Sequence, residues 1–105
     1  MAQVRVNPGV CGLLAVIDAT ADEDLQVRVK IQSDCPSIQA MEDKLQALDG
    51  YTEVLGKWGS STVSKAAELH CPHAACPVPS AILKAVEVAC VLALPRPVTM
   101  EITRD

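Results

Sequence analysis

Apolar and polar side chains alternate strictly over residues 25–32, whereas residues 13–17 are uniformly apolar. Because successive side chains of a strand point to opposite faces, the first pattern predicts a half-buried strand and the second a buried one. The acidic stretch 18–24 predicts an exposed hairpin loop between these two strands, which we expect to pair antiparallel. Residues 98–102 alternate in the same way, which predicts a last strand. Residues 1–8 predict only a short lead-in that ends in a turn.

Apolar residues at helical spacing predict three helices in the middle of the chain. The first begins at Pro36 and stops at Gly50, because proline suits a first helical turn and glycine a helix end. The second is short, begins at a serine and threonine cap near Ser61, and is closed by His70. The third follows a proline-rich stretch and runs to about Leu94. Core-facing positions of the first helix are Ile38, Met41, Leu45 and Leu48.

The predicted order of elements indicates the α+β class. Strand, strand, helix, short helix, helix, strand (β-β-α-α-α-β) predicts a two-layer sandwich, with helices on one face of a small, mostly antiparallel sheet. With 105 residues, half of them apolar, we expect one domain over residues 1–105. Both sides of the 13–17 strand are apolar, so it is either central or part of a contact in a homodimer. Trp58, the only tryptophan, is expected to cover the core.

Composition excludes several classes of partner. The net charge is −4 and aromatic residues make up 2%, which does not suit nucleic acid binding. No apolar run is long enough to span a membrane, and the N-terminus lacks a signal-peptide pattern. We therefore expect a cytoplasmic protein, in which thiols stay reduced. Five cysteines in that setting favour metal binding or redox chemistry over a disulfide framework.

The segment HCPHAACPVPS, residues 70–80, concentrates the candidate chemistry of the chain. It holds two thiols and two imidazoles within seven residues. Pro77 predicts that Cys76 lies at a helix N-terminus, where free N–H groups and the positive end of the helix dipole lower the pKa of a thiol. Cys35 is followed by Pro36 in the same way, at the start of the first helix.

Four of the cysteines are predicted to meet at one edge of the sheet. Cys11 precedes the first strand and Cys35 follows the second, so a hairpin brings them to the same edge. The last helix leads to the last strand, which places Cys71 and Cys76 near that edge as well. Four thiolates suit an iron–sulfur cluster or a tetrahedral zinc ion. Two histidines are alternative zinc ligands: His70 and His73.

Two resemblances add expectations. The sequence CPVP at 76–79, followed by ILKA at 82–85, resembles the CPxP-helix motif of the TusA/SirA sulfur-carrier family. This resemblance implies that Cys76 carries sulfur as a persulfide and that Lys84 lies one to two turns further on. Over nearly its whole length, on NPGVCG, SDCP and the segment from Cys71 to Pro79, the chain is similar to a small uncharacterised cysteine-rich protein family of anaerobic microbes. That likeness implies an oxygen-poor cytoplasm.

Three functions fit these observations. The first is a non-catalytic module that holds an iron–sulfur cluster or zinc through the four cysteines. The second is a sulfur or thiol-redox carrier that uses Cys76, with Cys71 or Cys35 as resolving thiol and a protein partner for electron or sulfur transfer. The third is a structural or interaction domain whose cysteines pack inertly, as expected of Cys90. An enzyme is not favoured, because no residue that would orient a histidine beside Cys76 can be identified.

Overall fold

A four-stranded antiparallel sheet and four helices make up the computed structural model, which describes residues 1–105. None of the helices has the length and apolar character that crossing a membrane requires. The α+β class predicted from the sequence is confirmed. In sheet order the strands are β1 (Ala2–Val6), β2 (Ala15–Ala21), β3 (Gln26–Ser33) and β4 (Leu48–Asp49). The helices are α1 (Pro36–Gln39), α2 (Gly50–Leu55), α3 (Thr62–His70) and α4 (Val78–Ala89), with a 3-10 turn over Glu42–Lys44.

The core lies between one face of the sheet and the helices. The alternation of β3 is confirmed, because Val27, Val29 and Ile31 are buried while the residues between them are exposed. On β2, Ile17 is fully buried, and α4 packs over β1 and β2. Burying one such side chain contributes about 1.5–3 kcal/mol. The other sheet face is polar, and β2 is a central strand, as predicted.

The two ends of the chain differ from the prediction. The predicted lead-in forms β1, which pairs antiparallel with β2 and places Val4 opposite Ile17. The strand predicted over residues 98–102 is absent, and residues 95–105 are exposed and outside the sheet. A strand forms only where a neighbour accepts its backbone hydrogen bonds, and β1 already occupies the free side of β2. The alternating pattern near the end of the chain therefore finds no partner within it.

The helix predicted from Pro36 to Gly50 ends after α1. The physical reason is that this segment bonds to the edge of β3 instead of to itself. The Gln39 side chain donates to the Ile31 carbonyl at 2.8 Å, and the Gln46 side chain donates to the Val29 carbonyl at 2.8 Å. These contacts satisfy backbone groups that the short β4 leaves unpaired, and they outweigh helix propensity. Gly50, predicted as a stop, begins α2. The four residues predicted to face the core are all buried: Ile38, Met41, Leu45 and Leu48.

Trp58 does not cover the core. Its side chain is 99% exposed, in the loop between α2 and α3, so that prediction is wrong. Aliphatic side chains close the core without it, and the largest fully buried ones are isoleucine, leucine and methionine.

α4 ends in a Schellman motif and does not continue to Leu94 as predicted. The amide N of Leu92 donates to the carbonyl of Glu87 at 2.8 Å, and that of Val91 donates to the carbonyl of Val88 at 3.0 Å. These two bonds are the pattern that closes a helix through a left-handed residue. Val91 takes the left-handed position with a φ of 57°. A β-branched residue is strained there, because its side chain crowds the backbone.

Val91→Gly is expected to raise the free energy of unfolding by about 0.5–1 kcal/mol. Relief of left-handed strain, about 1–2 kcal/mol, exceeds the roughly 0.5–1 kcal/mol that glycine adds to the entropy of the unfolded chain. Val91 is exposed, so little packing is lost. Urea denaturation measures the change. The matched control is Leu94→Gly, at an exposed position without a positive φ, which should not stabilise. Equal shifts in both variants would contradict the assignment of strain to Val91.

Candidate thiol site at one edge of the sheet

The edge at which β2 begins and β3 ends brings two cysteine-bearing segments together. Ala15 pairs with Ser33 across the hairpin, and the amide N of Asp34 donates to the carbonyl of Leu14 at 3.1 Å. Cys11 lies four residues before Ala15, and Cys35 lies two residues after Ser33. The predicted antiparallel pairing is thus confirmed, and it directs both cysteine segments to the same end of the sheet. The loop predicted over residues 18–24 is shorter, because β2 continues through Ala21.

Cys11 lies on an exposed loop that tight turns hold in shape. The amide N of Gly9 donates to the Asn7 side chain at 3.1 Å, and the amide N of Gly12 donates to the carbonyl of Gly9 at 2.9 Å. Gly9 and Gly12 have φ values of 100° and 66°, which glycine adopts without strain. The loop leaves the Cys11 thiol open to solvent.

Cys35 lies at the start of α1, as the sequence predicted, and occupies the N-cap position itself, but α1 has only four residues. Its amide N donates to the Ser33 hydroxyl at 3.0 Å, while its side chain makes no capping bond. The thiol is half-buried and packs against the core. A helix this short provides little dipole to favour a thiolate.

The loop from Cys71 to Cys76 folds around the backbone carbonyl of His73. The Cys71 thiol donates to this carbonyl at 3.4 Å, and the amide N of Cys76 donates to it at 3.3 Å. Cys71 also ends α3, since its amide N donates to the carbonyl of Ala67 at 2.7 Å. The turn brings the Cys71 side chain close enough to Cys76 to act on its thiol.

The pKa of the Cys76 thiol is raised, not lowered as the sequence predicted. Burial is the largest cause, because it penalises the charged thiolate. The neighbouring Cys71 side chain and the negative charges of the Cys71 and Cys11 thiolates raise this pKa further. The backbone N–H of Val78, in the first turn of α4, lowers it as expected of a helix N-terminus. Burial and the neighbouring thiols outweigh that effect, so a proton stays on Cys76 at neutral pH.

Cys11 and Cys71 therefore both act on the thiol of Cys76. Residues 2–102 match the protein family described as "Family of unknown function (DUF6951)". The chain belongs to this family. No curated protein and no solved structure matches the chain. All five cysteines of this DUF6951 member lie within the matched residues.

The residues predicted as metal ligands, the cysteines at this edge included, do not form a ready-made metal site. No three side chains of histidine, cysteine, aspartate or glutamate are arranged as metal ligands would be. His73 is exposed and contributes its carbonyl to the loop. His70 is half-buried, and its Nε2 atom has no hydrogen-bond partner. Lys84 pairs with Glu87 at 2.8 Å on the surface of α4, as residues three apart on a helix can.

One functional element of this site was not identified from the sequence. The His73 carbonyl organises the loop, but a backbone atom has no signature in residue identity. The only available signal was the short Cys-x4-Cys spacing, which requires the chain to turn between two fixed ends.

Proposed function

We propose that this chain binds a soft metal ion or an iron–sulfur cluster through Cys11, Cys71 and Cys76, with Cys35 supplied from the same edge of the sheet. Thiolates are the ligands that select zinc and iron–sulfur clusters. The observation that carries the proposal is the turn in which the Cys71 thiol and the Cys76 amide both bond to the His73 carbonyl. Cys71 and Cys11 lie close enough to Cys76 to act on its thiol.

The electrostatics of the thiols support a cationic ligand. Neighbouring thiolates repel one another, which is part of the reason that Cys76 retains its proton. A bound cation removes that repulsion, displaces the proton and pairs with the sulfur atoms. Metal affinity should therefore rise with pH, because each ligand must lose its proton before it binds.

The positions of the cysteines support binding without a change in the core. Cys11 lies on an exposed loop outside the strands, so its sulfur can approach the pair while the sheet stays intact. The Cys71–Cys76 loop is likewise outside α3 and α4. Cys35, Cys71 and Cys76 are half-buried and pack against the edge of the core.

Titration with Co²⁺ and Zn²⁺ under reducing, oxygen-free conditions tests this proposal. We expect one Co²⁺ per chain with a thiolate-to-metal absorption band, and displacement by Zn²⁺. Cys71→Ser and Cys76→Ser should each weaken binding at least about tenfold, in the range seen when metal-site residues are changed. Iron and sulfide reconstitution, followed by an absorption spectrum, tests for a cluster with the same variants.

Cys90→Ala is the matched control, because Cys90 is buried in the core beyond the other end of α4. It should leave the metal affinity unchanged. Absence of thiolate absorption with either metal and with reconstituted iron would contradict the proposal. Equal affinity in the Cys76→Ser variant and in the parent chain would do the same.

A dithiol carrier is the second candidate function, favoured by the same closeness of Cys71 to Cys76 around the His73 carbonyl. In thiol–disulfide exchange, a thiolate of this pair attacks the disulfide of a partner protein, forms a mixed disulfide and expels one partner thiolate. The second thiol then attacks the mixed disulfide, so that Cys71 and Cys76 become joined in a disulfide and the partner leaves as a dithiol. The raised pKa of Cys76 makes it a poor attacking group at neutral pH.

Alkylation of Cys76 by iodoacetamide is expected to be slow at pH 7.5 and to accelerate as the pH rises past the ordinary thiol pKa. The pKa of the Cys76 thiol is raised in the folded state. The protonated thiol therefore stabilises the fold below the ordinary thiol pKa, and this stabilisation is lost as the pH rises through the folded-state pKa. Peptide mass spectrometry should show exposed Cys11 modified before Cys76 at pH 7.5. Faster modification of Cys76 at that pH would instead identify it as an activated carrier thiol.

A further inference from the structure

The segment that follows α4, residues 95–105, has the pattern of a strand without the pairing of one. Val98, Met100 and Ile102 alternate with polar residues and are 65%, 76% and 89% exposed. No hydrogen bond joins residues 97–105 to the rest of the chain. The molecule measures 47 × 27 × 25 Å, a long shape for a chain of this size. This segment therefore presents a row of unpaired backbone groups beside an apolar stripe.

β1 presents the complementary feature, an open sheet edge. It pairs only with β2, so the outer backbone groups of its five residues have no strand beside them. The opposite edge of the sheet is not free in this way. β4 pairs with Gln26 and Val27, and the side chains of Gln39 and Gln46 bond to further backbone groups of β3. An open edge of this kind is a template for a strand from another chain.

The open edge and the exit of the segment lie on different sides of the molecule. α4 ends at Cys90, whose sulfur lies against Gly50 and close to the carbonyl of Leu25. Both of these residues adjoin the β3–β4 side of the sheet, with β2 between β3 and β1. Pro95 and Pro97 then fix the backbone φ on either side of Arg96 and stiffen the exit.

We propose that residues 98–102 of one chain add as a strand to the β1 edge of a second copy, and that the exchange is reciprocal in a two-fold dimer. Backbone hydrogen bonds between residues 98–102 of one chain and β1 of the other satisfy the unpaired N–H and C=O groups of both strands. Val4 and Val6 of β1 are only half-buried on the core face. The stripe of Val98, Met100 and Ile102 would complete the cover over them. Exchange of one element across a stiff linker is a common route to dimers.

Sedimentation and light scattering of the full chain between 1 and about 200 μM test this inference. We expect a concentration-dependent dimer, and Met100→Asp should weaken it at least about tenfold, because it places a charge in the apolar stripe. Thr99→Asp adds the same charge at the neighbouring polar position and should change dimerisation much less. Both positions lie outside the folded body, so neither variant should prevent folding.

Hydrogen exchange then identifies the surfaces involved. Amides of residues 2–6 and 98–102 should become protected as the dimer forms. A monomer at every concentration overturns the inference, whether the segment exchanges freely or is protected on its own sheet. A dimer that Met100→Asp does not weaken also overturns it, and would direct attention to the exposed side chains around Trp58.

Discussion

Replacing Glu53 by alanine is expected to lower the free energy of unfolding by about 2–4 kcal/mol. The Glu53 side chain lies in α2 and is 7% exposed. Its carboxylate accepts hydrogen bonds from two amide N–H groups in the first turn of α3. The N···O distances are 2.8 Å from Thr62 and 3.0 Å from Val63. Removing a buried charged acceptor leaves these donors unsatisfied, which costs about 1–3 kcal/mol for each buried group. The substitution also removes a negative charge from the positive N-terminal end of the α3 dipole, where such a charge is stabilising.

Urea denaturation followed by circular dichroism measures this effect. Glu53→Gln keeps one oxygen acceptor and should lose about half as much stability. Glu68→Ala removes an exposed carboxylate from α3 itself and should change stability by about 0.5 kcal/mol or less, as is usual for surface substitutions. If Glu53→Ala were as stable as Glu68→Ala, the carboxylate would not be the link between the two helices.

Gly50→Ala is expected to destabilise the protein by about 1–3 kcal/mol, the usual cost of overpacking a core. A Cβ atom at this position would collide with the sulfur of Cys90 and lie 3.0 Å from the carbonyl of Leu25. The backbone cannot withdraw easily, because the amide N of Gly50 donates to that same carbonyl at 2.8 Å. Gly50 therefore sets how closely α4 approaches the start of α2.

The double variant Gly50→Ala/Cys90→Ala separates these two contacts. Removing the sulfur should recover part of the lost stability, with a favourable coupling energy of about 1 kcal/mol in a double-mutant cycle. Cys90→Ala alone supplies the reference for the lost packing. Strict additivity of the two single changes would show that Cys90 is not the atom that Gly50 makes room for.

Local patterns predicted the parts of the fold in which a segment's own residues decide its structure. The alternation over residues 25–32 gave β3, and the cap at Ser61 is confirmed by its bond to the amide N of Ser64 at 3.0 Å. The prolines at 77 and 79 placed the start of α4 close to Val78. In each case, side-chain periodicity or capping chemistry acts within a few residues.

Long-range contacts account for the errors. Residues 36–48 have helical spacing, but Gln39 and Gln46 reach the edge of β3, which no local pattern reveals. β1 has only three inward-facing positions, and its pairing depends on β2, nine residues further along. Residues 98–102 have a better strand pattern than β1 but lack a neighbour in the chain.

The sequence indicated the end of the sheet at which the candidate site lies, but it predicted the wrong direction for the pKa shift of Cys76. The hairpin and the helix start indicated that Cys11 and Cys76 face the same end of the sheet. The sign of the pKa shift at Cys76 depends on burial and on the neighbouring thiols, both of which require the folded chain. The helix N-terminus lowers the pKa as expected, but it is one contribution among several.

The length of α4 has a consequence for handling the protein in air. Its 12 helical residues separate Cys76 from Cys90 by about 18 Å along the axis. A disulfide needs Cα atoms within about 7 Å, so the folded chain cannot join these two cysteines. A Cys76–Cys90 disulfide should therefore form only after unfolding, and peptide mapping of a stored native sample should not show that bond.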